Sequence, residues 1–92
     1  MENSIIQEAQ EIIHGPRAES YGPASKSFSN IAKGWSVLLG VEVTPEQVAM
    51  CMTWLKLCRE SNKHQRDNLV DIIGYTALIE KMKNEQERDN TI

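Results

Sequence analysis

Thr44-Pro45-Glu46-Gln47 constrains this chain more tightly than any other stretch. A Thr at the N-cap accepts a hydrogen bond from the backbone N–H three residues on. Gln47 at N3 returns the bond to the N-cap backbone, and Pro45 at N1 gives up no intrahelical donor. A helix is therefore fixed from this point, and the pattern carries it to about Glu60. Val48, Cys51, Met52, Leu55 and Cys58 form its main apolar stripe, while Met50, Trp54 and Leu57 widen it. A helix that is apolar around most of its girth is central or lies in an interface. In a chain of 92 residues, which buries only a modest core, that pattern predicts a homo-oligomer.

Three further segments carry the helical period. Ile5, Ile6, Ala9, Ile12 and Ile13 share one face of a helix over residues 4–14, with Glu8 and Glu11 on the other, and Gly15-Pro16 ends it. Phe28, Ile31, Ala32, Trp35, Leu38 and Leu39 make an inward stripe over residues 24–39, with Gly40 as C-cap. Leu69, Ile72, Ile73, Thr76 and Met82 do the same over residues 66–84. No strand-like alternation and no internal repeat is present. The expected fold is all-α, a small four-helix bundle, oligomeric, with one helical domain over residues 1–84. Residues 85–92 are polar, have almost nothing to bury, and are expected to form a disordered tail.

Composition narrows the function. With 40% apolar and 25% charged residues, the chain reads as a soluble globular protein, with no apolar run long enough for a membrane span. Its net charge of −3 and lack of a basic stripe argue against a nucleic acid polymer as partner. Met1-Glu2-Asn3 is not the basic start of a secretory signal, so a cytoplasmic protein is expected. Cys51 and Cys58 lie two helical turns apart, too far for an intrahelical disulfide, and with His14 and His64 they meet no zinc spacing. Two buried thiols are expected.

Chemistry concentrates where the third and fourth helices meet. Asp67 and Asp71 are four residues apart and share a helix face, a like-charge pair that needs an offsetting partner. The turn after Arg59 is short, so the fourth helix returns antiparallel and brings these carboxylates level with Arg59 and Lys56. The patch reads either as an interhelical ion-pair network or as a ligand site. In the second case Lys56 and Arg59 hold phosphates and Asp67 and Asp71 take donor groups or a divalent ion. Arg17 and Tyr21, on the long Gly- and Pro-rich stretch after the first helix, offer a further cation and a stacking ring. Gly74, inside the fourth helix, costs up to about 1 kcal/mol relative to Ala. Close approach by another helix or by a ligand explains such a residue. No nucleophile constellation and no glycine-rich phosphate loop is found, so no catalytic residue is assigned.

Arg17-x-x-x-Tyr21-Gly22, Phe28-x-x-Ile31-Ala32-x-x-Trp35, Lys56-x-x-Arg59 and Asp67-Asn68-x-x-Asp71-Ile72-x-Gly74-Tyr75 together resemble a family of small phage and prophage proteins. The likeness spans residues 8–82. That family is in turn distantly similar to the all-α MazG-like nucleotide pyrophosphohydrolases, oligomeric bundles that use Mg2+ and paired acidic motifs. The resemblance implies the cytoplasm of a bacterial host cell. It also implies a nucleotide ligand, without cofactor if the protein only binds. The leading expectation is nucleotide binding without turnover at Arg17, Tyr21, Lys56, Arg59, Asp67 and Asp71, as in a sponge that sequesters a cyclic nucleotide immune signal. The alternative is a Mg2+-dependent pyrophosphohydrolase with the metal held by Glu8, Glu11, Asp67 and Asp71. The third is a structural or partner-binding bundle. Whether the protein is an enzyme stays open, with binding preferred.

Overall fold

Thr44 starts its helix as the sequence predicts. Its side chain accepts from the Gln47 backbone at 3.2 Å, and the Gln47 side chain accepts from the Thr44 backbone at 2.9 Å. Ser4 and Gln7 form the same reciprocal pair at the start of the chain, at 3.1 and 2.9 Å. The computed structural model describes residues 4–14 and 24–90, with side chains over 4–14 and 26–84. Four helices result: α1 (Ile5–His14), α2 (Ala24–Leu39), α3 (Pro45–Asn62) and α4 (Arg66–Asn90). Among the described residues there is no strand, and the fold is all-α. The helical backbone of α4 continues six residues past the end expected at Asn84, through most of the stretch expected as a tail.

Gly40 ends α2 at φ +71°, a left-handed conformation that costs glycine no Cβ clash. Ser36 closes the connection to α3. Its hydroxyl donates to the Ala32 carbonyl at 2.7 Å and accepts from the Val43 N–H at 2.8 Å. One backbone group of the connection, the Val43 N–H, is thus tied to the last turn of α2.

The long α4 is the hub. It packs most extensively against α3 and α1 and also touches α2, while among the described helices α1 packs against α4 alone. Ala9 and Ile13 of α1, Ala32 of α2, Val48 and Ala49 of α3, and Val70 and Met82 of α4 form the buried core. This core is smaller than the apolar stripes predict, and several expected members lie outside it. Ile31, Leu38 and Leu39 of α2 are exposed, and only Ala32 of that stripe is fully buried.

The largest correction concerns α3. Cys51, Leu55 and Cys58, expected inward, are exposed, and the two thiols are not buried. The inward face is instead Val48, Ala49, Met52, Thr53, Lys56 and Glu60. The cause is electrostatic and steric together. Lys56 turns in to meet Asp71 of α4, and small Ala49 lets the helices approach. Thr53 satisfies its hydroxyl on the Ala49 carbonyl at 2.9 Å. The consequence is a helix rotated about its axis, with Val48 and Met52 still inward, Glu46 and Lys56 turned into the bundle, and Met50, Trp54 and Leu57 turned out.

Candidate functional site

Because α1 and α3 pack on α4 and not on each other, the α4 surface between them floors a cleft of about 710 Å³. That volume falls within the range of small-molecule sites. Glu8 and Ile12 of α1 stand on one side, with Lys56, Arg59 and Lys63 on the other and Asp67 and Asp71 in the floor. The antiparallel return of α4 thus brings together four of the residues singled out in the sequence, Lys56, Arg59, Asp67 and Asp71. Arg17 and Tyr21 lie outside the described residues.

The four groups are not equivalent. Lys56 Nζ and Asp71 Oδ2 pair at 2.8 Å, with side chains 15% and 33% exposed. Asp67 stands in the first turn of α4, where the helix dipole favours a carboxylate. No ion pair joins Arg59, Lys63 or Asp67 to another described residue. Arg59 and Lys63 therefore offer two cations to the cleft that form no ion pair with a described carboxylate, Asp67 in the same cleft included. Lys63 went unnoticed in the sequence because it sits in a polar turn. Its use follows only once α3 is seen to run to Asn62, with the Lys63 N–H donating to the Arg59 carbonyl at 3.0 Å.

Of the acids named for a metal, Glu8, Asp67 and Asp71 line the cleft, but two of them are already paired to cations. Glu8 pairs with Arg66, Asp71 with Lys56, and Glu11 is exposed and does not line the cleft. Among the described residues, no three His, Cys, Asp or Glu side chains come close enough to hold a metal ion.

Glu60 holds the α3–α4 turn that places Arg59 and Lys63 beside Asp67. One carboxylate oxygen accepts from the Gln65 N–H at 3.0 Å and from Asn68 Nδ2 at 3.2 Å, and the other is bonded to His64. Asn68 is buried, so the turn is anchored from below. The hydrogen bond from His64, and then that from the Gln65 backbone, hold the Glu60 carboxyl below its usual range. A carboxyl whose folded pKa is depressed adds stability that is complete above the unfolded pKa of about 4.3 and is lost as pH falls through the folded value. Glu60→Gln is accordingly expected to lower the melting temperature near neutral pH and to flatten its fall on acidification below about pH 4.3. A pH series of melting curves on both proteins reads the difference, and parallel curves contradict it.

The fold and cleft define a small helical protein with a charged, concave site at one end of an α-bundle. Residues 4–83 match a family model described as a domain of unknown function, DUF6378, and the chain belongs to that family. It is 46% identical over 82 residues to the Gene 55 protein of Mycobacterium phage L5, covering 87% of this chain and 53% of the relative. Its identity to the Gene 55 protein of Mycobacterium phage D29 is 35% over 86 residues, 92% of this chain and 57% of that protein. The chain spans about half the length of these curated relatives. No solved structure matches it. Among the described residues, no helix is long and apolar enough to cross a membrane.

Proposed function

We propose that this phage-family protein binds a nucleotide in the cleft between α1 and α3 and releases it unchanged, acting as a sponge for a nucleotide signal such as a cyclic dinucleotide. The observation that carries the reading is the pair Arg59 and Lys63, cations facing a cleft of ligand size with no described carboxylate paired to them. Lys56 is neutralised by Asp71 and positions it, while Asp67 and the free oxygen of Asp71 accept N–H or hydroxyl donors. Glu8 and Asp71 are each tied to a cation, which supports binding over metal-assisted turnover. The same reading makes the protein a homo-oligomer in the host cytoplasm, joined through the outward apolar face of α3.

The test is thermal stability with nucleoside triphosphates and cyclic dinucleotides, each with and without Mg2+. A ligand at a hundredfold excess over Kd adds about 2.7 kcal/mol, roughly 10 °C or more in a domain of this size. Arg59→Ala is expected to weaken binding by about tenfold to a hundredfold, the loss of a charge-assisted hydrogen bond. Pyrophosphate release from a triphosphate replaces the proposal with the hydrolase, and no shift with any ligand leaves an ion-pair network alone.

A further inference from the structure

Beside the charged cleft lies a second, smaller cavity of about 110 Å³, and the two share Ile12 and Asp71. Its walls are Ala9, Ile12 and Ile13 of α1 and Val70, Gly74, Tyr75 and Leu78 of α4. Apart from the Asp71 carboxylate at its rim, every lining side chain is apolar or aromatic. The sequence offers close helix approach or a ligand as reasons for a glycine at position 74. Among the described residues, a Cβ built there meets no heavy atom within 4 Å, so close approach by a described helix is not the reason. What the missing side chain provides is space. Tyr75 holds one wall in a fixed orientation, because its ring makes an edge-to-face contact with Phe28 of α2 at 6.4 Å and 82°. Of the Asp71 oxygens, Oδ2 is taken by Lys56. The other is left as an acceptor at the boundary between the apolar cavity and the cationic cleft.

We propose that the cavity over Gly74 receives the planar ring of the ligand, a nucleobase, and that Gly74 keeps it open. This assignment rests on the nucleotide reading and adds a division of labour to it. The base lies against Ile12, Gly74 and Tyr75 with an edge N–H donated to Asp71, and the phosphates lie across the boundary at Arg59 and Lys63. A planar heterocycle bearing an N–H edge is the chemistry that satisfies both an apolar slot and the Asp71 acceptor at its mouth. Because the glycine sits inside a helix with open space before it, the alanine variant separates two effects that usually move together. Added helix propensity raises stability, while the added methyl group takes space from the ring.

The experiment compares the wild type with Gly74→Ala and Gly74→Leu by melting temperature and by calorimetric titration. The probes are the four ribonucleoside triphosphates, cyclic di-AMP and inorganic tripolyphosphate. Without ligand, Gly74→Ala is expected to melt a few degrees above the wild type. Its nucleotide affinity falls by about tenfold and that of Gly74→Leu further, as for a ligand group denied its pocket, while tripolyphosphate affinity stays within about twofold. Wild-type nucleotide affinity in Gly74→Leu overturns the base pocket and leaves the phosphate cleft standing. A lower melting temperature for Gly74→Ala shows that the protein's own chain fills the space, which also overturns it. A wild type that binds neither nucleotide nor tripolyphosphate overturns both readings together.

Discussion

Trp54→Glu is expected to leave a folded monomer, with native helical content and a mass near 10.4 kDa, under conditions where the proposed wild-type oligomer forms. Trp54 is 69% exposed at the centre of the outward face of α3, flanked by Met50 at 52% and Leu57 at 45%. Val37, Leu38, Leu39 and Val41, at the end of α2 and the turn that follows, are 60% exposed or more. With Leu55 these make eight exposed large hydrophobic side chains on α3, at the end of α2 and in the turn between them, and clustered exposed apolar surface marks an interaction site. A second copy of this chain is the proposed occupant, because Met50, Trp54 and Leu57 present an apolar outward face on α3.

An aromatic anchor of this kind is worth 2 kcal/mol or more when truncated, so the dissociation constant is expected to rise by at least about thirtyfold. Monomer stability should change by only about 0.5 kcal/mol, since the side chain makes few contacts within its own chain. Sedimentation at several concentrations, with circular dichroism as the folding control, reads both quantities. A wild type that sediments as a monomer at 100 μM, a concentration well above about 1 μM, where a standard interface of moderate quality associates, removes the oligomer.

The same helix shows what was legible in the sequence and what was not. Caps are local, and Thr44 with Gln47, Gly40 after α2, and the polar turn before Arg66 each sit where backbone chemistry alone puts them. The pairing of α3 with α4 followed from a short turn, and with it the meeting of Lys56 and Asp71. The rotation of α3 about its own axis was hidden. Periodicity finds the inward face of a helix when only one face is apolar, and α3 offers two apolar stripes. The choice between them is made by Lys56, whose pairing with Asp71 turns Cys51, Leu55 and Cys58 outward. In the site, charged residues in helices were found because they interrupt apolar stripes. Lys63 was not, because a cation in a polar turn has no contrast with its neighbours, and Glu60 was not, because an acid near the C-terminal end of α3 reads as the end of the apolar pattern. Ile12 and Tyr75 were hidden for the opposite reason, since a cavity wall and a core contact look the same in sequence.

Asp71→Ala is expected to destabilise the protein by about 2 kcal/mol, between the values for exposed and fully buried pairs, and Lys56→Met by less than half as much. The asymmetry comes from exposure. Removing Asp71 strands an ammonium whose side chain is 15% exposed, whereas removing Lys56 leaves a carboxylate that is 33% exposed and can still reach water. Met also keeps the packing of the lysine stem. In a domain of this length the first variant should lose roughly 10 °C in melting temperature. The double variant Lys56→Met/Asp71→Leu should recover at least 1 kcal/mol relative to the sum of the single changes, because it strands no charge. Equal costs for the two single variants contradict the geometry described. Binding measured well below each melting point then separates architecture from recognition. Asp71 borders both the cationic cleft and the cavity over Gly74, so Asp71→Ala should weaken nucleotide binding in molecules that are still folded, and Lys56→Met should weaken it less. If both variants bind as the wild type does, the pair serves only to hold α3 against α4, and recognition rests on Arg59, Lys63 and the cavity.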